Sequence, residues 1–125
     1  MAKAIPDAIL DKTLDEIATG TRQILCSAQP TTYTEANATY ALADATMASG
    51  DFTLANGDAS GRKATVGAKT GALIDVSGTA THIALVDVTG TLLDVVTTCT
   101  SQALTANGSN TVNFPAWDIE YADPT

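Results

Sequence analysis

Beyond Lys69 the sequence has no lysine or arginine at all. All six cations lie at or before that residue, whereas Asp75, Asp87, Asp94, Asp118, Glu120 and Asp123 follow it, and the net charge is −8. Affinity for nucleic acid rests on Lys and Arg neutralising phosphates, so no nucleic-acid partner is expected. The acidity favours solubility and opposes non-specific self-association. Aromatic residues number six, Tyr33, Tyr40, Phe52, Phe114, Trp117 and Tyr121, which leaves the core to aliphatic side chains. No stretch approaches the ~20 apolar residues of a membrane span, and residues 1–10 hold no apolar run of signal-peptide length. A soluble protein made in the cytosol, with no membrane partner, is the expectation. Without secretion the sequon matches at Asn37 and Asn107 mean little.

Histidine occurs once, at His82, and cysteine twice, at Cys26 and Cys99 without C-x-x-C spacing, so a zinc site lacks its ligand set. Both thiols are expected to be free, because a reducing cytosol gives a bridge little advantage. The chain has no G-x-S-x-G elbow, no H-E-x-x-H and no phosphate-binding glycine loop. A Ser/His/Asp or Cys/His arrangement would need His82, which sits in the middle of a strand-like run, a place for a sheet residue rather than a base. Asp118 and Glu120 alternate and so share a face, but two acids beside a sheet edge read as an exposed surface. Asp51, Asn56 and Asp58 offer oxygens and neighbouring glycines without the spacing of a calcium loop. Neither catalytic residues, nor a cofactor, nor a metal is therefore expected, and the chain does not read as an enzyme.

What is present divides into one helix and many short strands. Pro6 and Asp7 suit a helix start, and Ile5, Ile9, Leu10, Leu14 and Ile17 fall on one face at helical spacing, predicting an amphipathic helix over 6–19 that Gly20 ends. That apolar stripe must dock, on its own domain or on a partner. From Thr21 onward short β-compatible runs separated by Gly, Asn, Asp and Ser predict a single β-sandwich, Ig-like or Greek-key-like, over 21–125, with 1–20 as a helical segment. A chain of 125 residues can bury roughly two-thirds of its unfolded surface, enough for such a core. Strands are expected at 22–27, 40–47, 62–68, 79–88, 91–98 and 111–121, six or seven in all. The short connector at 89–92, with Gly90 available for positive φ, predicts a hairpin. Residues 49–61 (SGDFTLANGDASG) and 105–110 (TANGSN) read as surface loops. Threonine and alanine supply about a third of the chain, and threonine keeps an exposed sheet face wettable.

Three stretches, 24–33 (ILCSAQPTTY), 51–62 (DFTLANGDASGR) and 113–119 (NFPAWDI), resemble a family of short structural proteins of tailed bacteriophages whose members are similar along nearly the whole chain. The resemblance implies a virion component, a head decoration or cement protein, with the major capsid protein or neighbouring virion proteins as partners and a homo-oligomeric state. Alternatives are a head-tail connector or tail accessory and, in another class, a free-standing sugar- or calcium-binding β module. The resemblance brings no catalytic residues. The helix stripe Ile5, Ile9, Leu10, Leu14 and Ile17 is the candidate interface.

Overall fold

The computed structural model describes residues 5–123. The chain is mainly β, 50% strand and 18% helix, with antiparallel sheets in a β-sandwich-like arrangement and one N-terminal α-helix. Nine strands occur among the described residues, against the six or seven expected. Contacts divide the chain into two units that interleave in sequence. Met1–Thr19, Ala48–Ala68 and Pro115–Thr125 form the first, and Gly20–Met47 with Lys69–Phe114 the second.

The first unit holds α1 (Asp7–Ile17) and the strands β3 (Phe52–Asn56), β4 (Arg62–Val66) and β9 (Trp117–Tyr121), in sheet order β3-β4-β9. Pro6 precedes the helix, and its carbonyl accepts from the amides of Ile9 (2.9 Å) and Leu10 (3.3 Å). At the other end Ala18 closes on Leu14 O at 2.8 Å, so the helix stops just short of Gly20. α1 packs on β4, where Ala64 and Val66 are fully buried, and the Arg62 guanidinium anchors it through Asp11 at 2.7 Å. β3 lies inside the stretch expected to be a loop. It forms because Phe52 to Asn56 pair in register with Val66 to Arg62, a hairpin that local turn chemistry at Asn56-Gly57 does not reveal. Gly61 closes that hairpin at φ +73, and a Cβ there would collide with the Tyr121 carbonyl, so only glycine fits.

The second unit contains a four-stranded sheet, β2-β1-β6-β7, built from β1 (Arg22–Cys26), β2 (Ala41–Thr46), β6 (Gly78–Asp87) and β7 (Leu92–Leu104). A two-stranded sheet pairs β5 (Lys69–Leu73) with β8 (Thr111–Phe114). A bridge from Ala43 to Ile74 continues the edge at β2. β1 and residues 83–86 of β6 are buried on both faces. One face, Ile24, Cys26, Ala84 and Val86, is covered by Tyr33, Ala36 and Tyr40, which flank or belong to a π-helical turn at Glu35–Thr39.

β6 and β7 form the expected hairpin, but its loop is four residues long, Val88 to Thr91, and Thr91 rather than Gly90 takes positive φ (53°). In a four-residue loop built around a type I turn the left-handed position falls last, after the glycine. β7 continues six residues past the expected end, and its register shifts against β6 both near Asp94 and at Cys99 to Ser101, so this edge strand is bulged rather than flat. The single strand expected at 111–121 is two, because Pro115 has no N–H to donate and constrains Phe114 before it. β8 then pairs in one unit and β9 in the other.

Candidate functional site

The helix stripe divides. Leu10, Leu14 and Ile17 are buried within the chain's own fold, Leu14 completely. Ile5 is half-buried, and Ile9 remains 54% exposed. Ile5 lies ahead of α1, which starts at Asp7, and of the four stripe residues on the helix Leu10, Leu14 and Ile17 are buried while Ile9 is not. Of the candidate interface, Ile9 on α1 and part of Ile5, which precedes the helix, remain exposed.

Asp118 and Glu120 stand on the exposed face of the three-stranded sheet, cross-strand from Thr65 and Lys63. Asp118 Oδ1 accepts from the Thr65 hydroxyl at 2.7 Å and Oδ2 lies 3.4 Å from Lys63 Nζ. Lys63 reaches Asp58 at 2.8 Å, and Glu120 accepts from the Asp58 amide. The Thr65 hydroxyl, with Lys63 behind it, holds the Asp118 carboxyl below the usual carboxylate range. Asp58, hydrogen-bonded to Lys63, raises the lysine in turn and keeps it cationic. Such an acid stays ionised near neutrality and is suited to pinning the 57–61 turn against β9, not to donating a proton.

His82 pairs with Cys26 on one side and Thr98 on the other in the β ladder, and its Nδ1 lies 2.8 Å from the Thr81 hydroxyl. Burial, with a further contribution from Cys99, pushes the Cys26 thiol up to about 11. A thiol so raised is protonated near neutrality and a poor nucleophile. The oxygens of the 49–61 segment serve separate local roles. Asp51 Oδ2 accepts from the Ala48 amide at 2.8 Å, Asn56 Oδ1 from Arg62 at 2.9 Å, and Asp58 from Lys63. Among the described residues no group of three or more His, Cys, Asp or Glu is placed to hold a metal ion.

The remaining exposed large apolar residues are Tyr121 in the first unit and Leu73, Val76 and Leu92 in the second. The sequence reading missed Leu73 and Val76, which flank the buried Ile74. The signal available was the alternation in GALIDV, where Leu73 and Asp75 face outward around Ile74.

Both units are acidic. The first carries nine carboxylates against four cations and the second five against two. No helix among the described residues is long and apolar enough to cross a membrane. Comparison of the chain with protein-family models, with curated proteins and with solved structures finds no match.

Proposed function

We propose that this chain is a structural, non-enzymatic component of a tailed-bacteriophage particle, a head decoration protein that stabilises the capsid by bridging neighbouring capsomers. The observation that carries the reading is the resemblance of 24–33, 51–62 and 113–119 to short phage structural proteins. The chemistry described above is in keeping with it: Asp118 is engaged on a sheet face, His82 in a strand and Cys26 in the core. The partners are the major capsid protein and further copies of the chain, the location is the virion, and no cofactor, nucleic acid or membrane takes part.

The mechanism is mass action. A protein that binds only the assembled shell stabilises it with the logarithm of free concentration over dissociation constant. Ile9 is the exposed apolar side chain that α1 contributes to that attachment, with Ile5 ahead of the helix as a second, half-buried one. The test is to purify particles with and without the protein, measure their heat stability, and count copies by densitometry. Particles that lose heat stability on its removal, with copies in proportion to the major capsid protein, support the reading. A small fixed number of copies moves the protein to a neck or tail ring, and its absence from particles ends the proposal.

A further inference from the structure

The chain contains two Asn-Gly dipeptides, Asn56-Gly57 and Asn107-Gly108. In such a pair the glycine amide nitrogen can attack the preceding side-chain carbonyl, because glycine has no Cβ to obstruct the approach. The fold treats the two differently. At Asn56 the nucleophile is occupied, since the Gly57 N–H donates to Gly61 O at 2.9 Å; the single donor on Asn56 Oδ1, Arg62 Nη1 at 2.9 Å, has no free glycine nitrogen to assist. Gly57 also packs against the Ser60 carbonyl, so the turn has little room to rearrange.

At Asn107 the arrangement is reversed. Gly108 N makes no hydrogen bond among the described residues, and nothing lies within 4 Å of where its Cβ would be. The Asn107 side-chain oxygen accepts three hydrogen bonds, from the Asn110 amide at 2.7 Å, the Ser109 amide at 3.0 Å and the Ser109 hydroxyl at 3.2 Å. That oxygen is the atom on which negative charge develops when the carbonyl is attacked. Preorganised donors aimed at such an oxygen lower the barrier as an oxyanion hole does. The loop that holds them is itself fixed, by Asn110 Nδ2 on Thr105 O at 2.9 Å and by the Ala106 amide on Ser77 Oγ at 2.8 Å.

We propose that Asn107 is a site of spontaneous self-modification in the folded protein, converting to aspartate and isoaspartate while Asn56 is protected. Gly108 N gives up its proton to hydroxide and forms a bond to Asn107 Cγ, and the charge passes to Oδ1 under its three donors. The intermediate collapses, the bond from Cγ to Nδ2 breaks, and Nδ2 leaves as ammonia after taking a proton from water. One water then opens the cyclic imide at either carbonyl. The net change is one water consumed and one ammonia released, with no oxidant or reductant. The product loop between β7 and β8 carries one more negative charge, and in the isoaspartyl form one more backbone methylene.

Trypsin separates the two sites, because cleavage at Arg22 and Arg62 isolates Asn56 while no cleavage site follows Lys69. The full chain is aged at mildly alkaline pH, natively and in concentrated urea, then digested, and the acid products are located by fragmentation mass spectrometry. Natively, Asn107 should convert about tenfold or more faster than Asn56, the factor that one or two net hydrogen bonds represent. In urea the two rates should become similar, with Asn107 no faster than in the folded chain. Asn107→Gln should abolish the product in its peptide. Equal native rates, an Asn107 slower when folded than in urea, or product persisting at Asn110 or Asn113 in the variant would each overturn the proposal.

Discussion

Two cysteines of the same composition behave differently once their strands are placed. Cys26 is fully buried among Ile24, Ala36, Ala84 and Val86, and its thiol is pushed up to about 11 by that burial first and by Cys99 second. Cys99, on the bulged edge strand, is raised by burial but remains partly exposed. A maleimide added to the native chain should therefore label Cys99 first and reach Cys26 only on unfolding; simultaneous labelling would contradict the packing. Asp118 offers a second measurement. Because its folded pKa is depressed, mainly by the Thr65 hydroxyl, it adds stability that is present above the unfolded value and lost as pH falls through the folded one. Glu35, lowered by the Thr31 hydroxyl, acts in the same direction. Thr65→Val should move the Asp118 carboxyl titration, followed by NMR, back towards the ordinary carboxylate value. A titration unchanged by the substitution would assign the depression to another group.

At the scale of elements, α1 was legible because a helix shows its period in a dozen residues and needs no distant partner to define its stripe. The division of that stripe was not, since which positions meet β4 depends on how the helix lies across it. Leu14→Ala should cost about 2–5 kcal/mol in a denaturant titration, as deletion of a fully buried leucine does. Ile9→Asp should leave stability within about 0.5 kcal/mol while weakening attachment to particles. An Ile9 variant that unfolds, or one that binds undiminished, would remove this residue from the interface. β3 and β5 escaped detection for the opposite reason to α1. Each is five residues long, carries glycine or asparagine, and gains its strand character from the partner that hydrogen-bonds it. The 111–121 run shows the same limit: Pro115 is visible in sequence, but its consequence, two strands in two sheets, is a matter of pairing.

For the molecule as a whole, β1 and β6 are the places where protection should be greatest, because each has a hydrogen-bonded neighbour on both edges and apolar cover on both faces. Native-state hydrogen exchange should find their amides slowest and that of Gly108, which has no partner among the described residues, among the fastest. Slower exchange in β7 than in β1 would mean that its outer edge is covered in solution. Composition alone settled the charge, the single histidine and the scarcity of aromatic side chains. Periodicity settled the mainly β class and the single long helix, since both are local properties of a chain that alternates or repeats. Tertiary structure decided the number of strands, the two interleaved units and the burial of Leu10, Leu14 and Ile17. These depend on residues far apart in sequence meeting at one place, and no window along the chain contains both partners.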